Sequence, residues 1–156
     1  MTRIMTFLMM ALIASVIISC DKFENGVPAK ELRKDFSAMN PGAKDVEWER
    51  KGNCWQVSYE IGTYPDVVEY ESLYDASGDW VMTKTELRLS DVPQHIKDYL
   101  TTSSDYASAS FEDREVEFYE TQTEDFYRFD LVLSGREVEV DVTADGAVVP
   151  ARRNLF

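Results

Sequence analysis

Histidine is almost missing from this chain, which has one among 156 residues, and cysteine occurs only twice. The single His95, beside Gln94 and with no serine or cysteine motif around it, gives no nucleophile–base pair of the kind acyl transfer needs. It reads as a surface helix residue. The Cys/His spacing of a metal site is absent, and so is a glycine-rich loop able to cradle phosphate. With Cys20 and Cys54 alone, no disulfide framework can be built. Basic residues are scarce too: 16 Lys and Arg stand against 29 Asp and Glu, a net charge of −13. Such a chain repels nucleic acid and anionic membrane surfaces, which removes both from the expected partners. Acidity of this kind keeps a protein soluble at a crowded surface; it would also suit a basic partner or divalent cations. A long apolar run is missing as well. The most extended one, residues 4–18, is shorter than a bilayer-spanning helix needs.

Behind the short, weakly basic Met1-Thr2-Arg3, that run has the form of a secretory signal. It closes on Ile17-Ile18-Ser19-Cys20 and meets polar Asp21-Lys22 at once. This edge resembles a bacterial lipobox, in which the cysteine is lipidated and becomes the new N-terminus; an ordinary signal cut near a cysteine is the alternative. The expectation is a signal peptide over 1–19, a lipid anchor in a membrane through Cys20, and a polar tether over 20–26. The address is the cell envelope, on the periplasmic or surface side of the outer membrane. Removing residues 1–19 deletes Arg3 and takes the net charge to −14. Cys54 would then be left without a partner in the chain and reads as a small packed side chain.

The folded part is organised around residues 41–59. A Pro41-Gly42 break is followed by Val46 and Trp48 alternating with Asp45, Glu47 and Glu49. After Lys51-Gly52-Asn53, Trp55, Val57 and Tyr59 alternate with Cys54, Gln56 and Ser58. Two period-2 runs across a short Gly/Asn turn predict an antiparallel hairpin with one apolar face. Before it, Val27-Pro28 opens a helix whose stripe is Leu32, Phe36 and Met39. After it, a loop over 62–66 leads to strands over 67–74 and 80–87, with Trp80 and Met82 expected on one face. Gly78 is the expected positive-φ position of the turn between them. A second helix follows, capped by Ser90 or Asp91, with Val92, Ile96 and Leu100 as its buried stripe. Residues 101–104 form a polar linker. Strands over 114–120, 126–133 and 136–142 come next, with turns at Ser134-Gly135 and 144–146, and a last strand begins at 147–149.

The plan repeats. Val27-Pro28 is matched by Val92-Pro93, 65 residues on, and the run 69–78 by 137–146, 68 residues on. Each half reads helix then four strands, which implies two copies of one small α+β unit, 27–89 and 90–156. Neither half holds much core alone, so their strands are expected to join one antiparallel sheet with both helices on one face.

Residues 41–49, then Gly-Asn-Cys-Trp-Gln-Val-Ser-Tyr-Glu at 52–60 and Tyr-Asp-Ala-Ser-Gly-Asp-Trp at 74–80, resemble the PepSY-like, beta-lactamase-inhibitor-like secreted proteins of Bacteroides-type bacteria. Leu-Ser-Asp-Val-Pro at 89–93 is similar to that family's usual linker. The resemblance spans about 27–150. It implies a tandem helix-plus-four-strand architecture and a periplasmic or surface lipoprotein, and it carries no catalytic residues over. The second half lacks the Pro-Gly before its first strand and the Trp after its Asp-Gly turn.

Three further patterns bear on chemistry. Asp75, Ser77 and Asp79 have the first, third and fifth spacing of a calcium loop, with Glu86 at the twelfth place. Gly78 falls at the fourth place, not the sixth, and 80–86 reads as a strand, so a plain hairpin turn is preferred. The acidic pairs Glu47/Glu49, Glu69/Glu71, Glu115/Glu117 and Glu137/Glu139 alternate with apolar residues. Strand periodicity puts them on an exposed sheet face, with no legible pocket to shift them into acid/base roles. Aromatics crowd the first half. Most belong in the core, and any surplus among Trp48, Trp55, Trp80 and Tyr64 would make a binding platform. The reading as a whole is a non-enzymatic, lipid-anchored module, without a cofactor or metal, that binds an envelope protein or acts in an inhibitor-like way. The rivals are an acidic lipoprotein binding a small ligand or cation, and a hydrolase whose site the sequence conceals.

Overall fold

The computed structural model describes residues 23–24, 27–112 and 114–153. The expected signal peptide, Cys20 and most of the expected tether lie outside the described residues. Within them no helix is long and apolar enough to cross a membrane.

Among the described residues, two helices and eleven strands follow one another. The short strands β1 (Phe23–Glu24) and β2 (Val27–Pro28) pair with each other, and α1 spans Lys30–Met39. Strands β3 (Lys44–Lys51), β4 (Cys54–Thr63), β5 (Asp66–Tyr74) and β6 (Trp80–Arg88) lead to α2 (Gln94–Thr102). Then come β7 (Ser110–Phe111), β8 (Glu115–Thr121), β9 (Phe126–Leu133), β10 (Arg136–Thr143) and β11 (Val148–Pro150). All but the first two strands form one nine-stranded antiparallel sheet in the order β11-β10-β9-β8-β6-β5-β4-β3, with β7 also on β9. The sheet is therefore continuous, joined in its middle by β6 and β8.

The register shows that both helices lie on one face. Trp55 faces Tyr74, Ser72 faces Thr83, Leu87 faces Val116, and Phe129 faces Val140, so these residues share a side of the sheet. Leu32 and Phe36 of α1 pack there with Trp55, Val57, Tyr59 and Tyr74. Val92, Ile96 and Leu100 at α2 pack there with Val116, Phe129, Leu131, Val140 and Val142. Full burial of such side chains stabilises by about 1.5–3 kcal/mol each, enough to fix two short helices that would be marginal alone.

Several local expectations change. Val27-Pro28 is a strand, and α1 starts two residues later, at Lys30, with Ala29 at its N-cap. Met39 is 62% exposed, because it is the last helical residue and Asn40 turns the chain away, its backbone N–H donating to Phe36 O. Pro93, not Ser90 or Asp91, occupies the N-cap of α2, with no side-chain cap bond; Ser90 Oγ instead donates to Asp91 Oδ1. The expected loop over 62–66 shrinks to a two-residue turn at Tyr64–Pro65, whose peptide bond is cis. Gly62 stays inside β4, at φ +119°, where a Cβ would meet the Asp66 carbonyl oxygen at 2.2 Å.

Two irregularities redirect side chains. Asp45 takes φ +50° and the β3–β4 register slips between Lys44 and Glu47, which leaves Val46 outside the apolar row at 40% exposure. A second slip between Leu73 and Tyr74 pairs Tyr74 with Trp80 but Leu73 with Met82. Trp80 and Met82 consequently lie on opposite faces, contrary to simple alternation. A bulge adds one residue to one strand, and one residue is enough to exchange faces.

The helix-covered face is not wholly apolar. Ser72, the residue that interrupts the β5 row, is 2% exposed. Its hydroxyl shares hydrogen bonds with Tyr59 Oη (3.2 Å) and Thr83 Oγ1 (2.8 Å), and Trp80 Nε1 donates to the same Thr83 oxygen at 2.9 Å. Thr83→Val keeps the shape, takes the acceptor from Trp80 Nε1 and leaves the Ser72 hydroxyl with Tyr59 alone. It is expected to cost about 1–3 kcal/mol in urea denaturation; an unchanged midpoint would show that this chain of hydroxyls contributes nothing.

Burial also raises the phenol pKa values of Tyr59 and Tyr74, the latter to about 12 with a smaller push from Tyr59. Tyr119 is raised by its burial and by its hydrogen bond to Glu117. A folded phenol that stays neutral while its unfolded counterpart ionises favours unfolding as pH rises. Stability is thus expected to hold below about pH 10 and to fall between about 10 and 12. Circular dichroism followed alongside phenolate absorbance tests this. Ionisation of every tyrosine near pH 10, with the fold intact, would refute it.

Candidate functional site

With both helices on one side, the other side of the sheet keeps its side chains available. The four acidic pairs seen in the sequence all point to it. Glu47 and Glu49 lie opposite Ser58 and Gln56, Glu71 opposite Lys84, Glu117 opposite Arg128, and Glu139 opposite Asp130. This open face has two zones.

The first is a small apolar cluster of Leu73, Met82, Tyr119 and Phe126, with Cys54 and Val81 packed against it. Cys54 is a free, half-buried thiol with the packing role that alternation assigned it. Arg128 and Arg152 roof the cluster. The Arg152 guanidinium carbon lies 4.3 Å from the Phe126 ring centre, and that of Arg128 lies 5.1 Å from the Tyr119 ring centre. Such stacking suits the weakly hydrated guanidinium. Beneath them Asp141 is fully buried and accepts from Arg128 Nε (2.8 Å), Arg128 Nη2 (3.2 Å) and the Arg152 backbone N–H (2.9 Å). Burial works against the Arg128 charge; the hydrogen bonds and charge of Asp141 outweigh it and raise its pKa.

The second zone is acidic. Lys84 Nζ lies 3.2 Å from Glu71, 3.5 Å from Glu86 and 3.5 Å from Glu117. Gln56 Nε2 donates to Glu71 at 3.1 Å, and Tyr119 Oη to Glu117 at 2.8 Å, so both carboxylates are held in place. Burial again opposes the cation, and Glu71, Glu117 and Glu86 together raise the Lys84 pKa. Three carboxylates around one ammonium leave a local excess of negative charge. A cavity of about 270 Å³ opens here, lined by Lys84 itself together with Glu47, Glu60, Glu69, Glu71 and Glu86, with Asp45 at the β3 bulge. Twist and bulging of the sheet create this hollow, which alternation alone could not reveal.

The four aromatics named from the sequence are not brought together. Trp55 is 1% exposed in the α1 core. Trp48 packs edge-on against Phe36, centroids 5.4 Å apart, and near Tyr74. Trp80 is half-buried at the margin of the same cluster. Tyr64 alone projects, at 93% exposure, from the tip of the β4–β5 hairpin. His95 is exposed on α2, edge-on to Tyr99. The Asp75 carboxylate is engaged by its own turn, accepting from the backbone N–H groups of Ser77 (2.7 Å) and Asp79 (3.0 Å). Among the described residues no group of three or more His, Cys, Asp or Glu is arranged to hold a metal ion.

The sequence reading missed the apolar cluster on the open face. A signal for it exists: Leu73-Tyr74, Phe118-Tyr119 and Phe126-Tyr127 are adjacent apolar pairs within strands. Neighbouring strand residues point to opposite faces, so each pair feeds both sides of the sheet.

Taken together, the architecture defines an α+β protein with a BLIP-like fold. The chain is similar to a BLIP-like protein from Bacteroides fragilis, with a TM-score of 0.66, 23% identity, and 79% of this chain and 84% of that one covered. A DUF2874 family protein from Bacteroides ovatus superposes with a TM-score of 0.65 at 17% identity, covering 81% and 87%. A protein of Bacteroides eggerthii described as a candidate periplasmic protein gives 0.64 at 13% identity, covering 80% and 87%. No protein-family profile matches the chain, and no curated protein does.

Proposed function

We propose that this chain is a non-enzymatic, lipid-anchored envelope protein that binds a partner protein through the helix-free face of its sheet. The observation that carries the reading is the asymmetry of the sheet: two helices seal one face, while the other presents the acidic cavity beside Lys84. Likeness in fold to a BLIP-like protein supports a protein-binding or inhibitor-like role, although fold by itself does not fix function. The order of helix and strands supports two tandem PepSY-like units, 27–89 and 90–156, each one helix followed by its strands. Of the four sequence-named aromatics, Tyr64 is the one we carry into the binding surface, since exposed tyrosines anchor interfaces well.

The test is affinity capture from Bacteroides envelope extracts with the mature chain and two variants, Ser58→Arg on the open face and Lys34→Glu on α1. A partner retained by the α1 variant and lost by Ser58→Arg is the expected result. Capture of nothing, together with stabilisation by calcium, would replace this reading with a cation-binding lipoprotein. Anchoring is tested separately. Cys20→Ala is expected to leave the protein uncleaved or soluble, because one acylation site is lost. Fatty-acid label persisting in that variant would refute the lipobox.

A further inference from the structure

We infer that the helix-covered face holds a second site, a cavity walled by Tyr59, Tyr70, Tyr74 and Trp80 that takes a small organic cation, an alkylated ammonium ion carrying a hydroxyl group. This site is independent of the protein-binding reading above and lies on the other side of the sheet.

The cover that the helices give this face is incomplete. The cluster beneath α1 and the cluster beneath α2 share no residue. Between them, at the middle strands, Ser72 stands opposite Thr83 and Thr83 opposite Glu120, so all three point to the helix side. A cavity of about 320 Å³ opens there, within the range of roughly 300–1,000 Å³ that small-molecule pockets occupy. Tyr59 and Tyr70 stack along its wall, ring centres 5.2 Å apart. The register slip between Leu73 and Tyr74 turns Trp80 inwards opposite Tyr74, which adds two more rings.

Electrostatics select a cation. Tyrosine and tryptophan rings attract an ammonium ion, and several rings around one pocket are the usual means of holding a quaternary one. Among the described residues the one charged side chain lining the cavity is Glu120. Its carboxylate is exposed and has no Lys or Arg nitrogen within 4.0 Å among the described residues. Burial raises the Tyr59 phenol pKa against the pull of its Ser72 hydrogen bond, and the charges of Tyr70 and Glu120 add to the rise, so Glu120 acts on the cavity wall.

Unspent hydrogen-bonding capacity selects the hydroxyl. Tyr74 is 2% exposed and lines the cavity, yet its own hydroxyl has no hydrogen-bond partner among the described residues. A buried hydroxyl left so is costly unless something else satisfies it. The neighbouring chain has a surplus as well. Tyr59, Ser72 and Thr83 share two hydrogen bonds, and Trp80 Nε1 brings its own hydrogen to Thr83. Each hydroxyl carries one hydrogen, so one of them remains over, on a residue that lines the cavity. The site thus offers rings and a carboxylate to a charged end, and hydroxyl donors to an oxygen.

The probe is choline, titrated calorimetrically into the mature chain, with its uncharged carbon isostere, dimethylbutanol, as control. Glu120→Gln is compared with Glu137→Gln, an equal change of charge on the open face. Choline is expected to bind at least about tenfold more tightly than the alcohol, to weaken roughly tenfold in Glu120→Gln, and to change less than about twofold in Glu137→Gln. It should also move the indole N–H resonance of Trp80 more than those of Trp48 and Trp55. Tyr74→Phe keeps the ring and should weaken choline while leaving tetramethylammonium, which has no hydroxyl, as it was. Equal binding of choline and the alcohol would overturn the inference, showing a cavity indifferent to charge. Equal weakening in the two glutamine variants would overturn it as diffuse attraction to an acidic chain. No response to choline at about 20 mM would overturn it outright, and equal loss of both cations in Tyr74→Phe would refute the hydroxyl contact.

Discussion

Asp141→Ala is expected to lower the free energy of unfolding by about 3–5 kcal/mol, the scale seen when one partner of a buried ion pair is removed. Asp141 is fully buried and Arg128 is nearly so, with 12% of its side chain exposed. The carboxylate accepts two bonds from one guanidinium and a third from the Arg152 backbone, while Arg128 Nη2 also donates to Arg152 O at 2.8 Å. Truncation would leave a guanidinium stacked over aromatic rings with its main counter-charge gone, and would release the strand end that Arg152 pins. Asp141→Asn, which keeps one acceptor oxygen, should lose less. The double change Arg128→Met/Asp141→Leu should recover much of the loss, because it removes the cost of burying charge along with the pair. Guanidinium denaturation of the four proteins decides the matter. A loss below about 1 kcal/mol for Asp141→Ala would place the pair with ordinary surface bridges and refute the argument.

Splitting the chain at the α2 approach is expected to abolish folding of both pieces. Seven residue pairs join β6 to β8, from Met82 opposite Thr121 to Arg88 opposite Glu115. The open-face apolar cluster straddles that joint, with Leu73 and Met82 on one side and Tyr119 and Phe126 on the other. Fragment 20–89 would expose β6 as a bare edge together with half of that cluster, and fragment 90–156 would do the same with β8. Expressed separately, the two should be unfolded or aggregated, and the intact mature chain should melt in one transition. Two transitions in the whole chain, matching those of stable isolated fragments, would show two independent beads.

The sequence reading reaches furthest where alternation is unbroken. Trp55, Val57 and Tyr59, or Val138, Val140 and Val142, could be assigned to one face because each occupies every second position and one face is buried beneath a helix. The Ser134–Gly135 turn was legible for a related reason. Two residues between strands must take positive φ, and they do, at 53° and 75°. Legibility fails at the bulges, since nothing in the letters around Asp45 or Val81 announces an extra residue. The Arg128–Asp141 pair was equally hidden: its partners are 13 residues apart, and charges in strands are usually solvated. The acidic rows were visible, but their gathering around Lys84 and the cavity depends on how neighbouring strands twist. Composition does not encode that twist locally.

The sheet's two outer strands, β3 and β11, have a consequence for how the molecule behaves among its own copies. An antiparallel sheet this wide could in principle be extended indefinitely by stacking further chains along its margins. One margin, β3, reads Lys-Asp-Val-Glu-Trp-Glu-Arg-Lys and is kinked at Asp45; the other is three residues long and ends in Pro150, which has no N–H to offer. A second molecule arriving in register at β3 would bring identical charges against it on a bent rail, and at β11 it would find almost nothing to grip. Both rims of the sheet are therefore poor templates for adding a further copy of this chain.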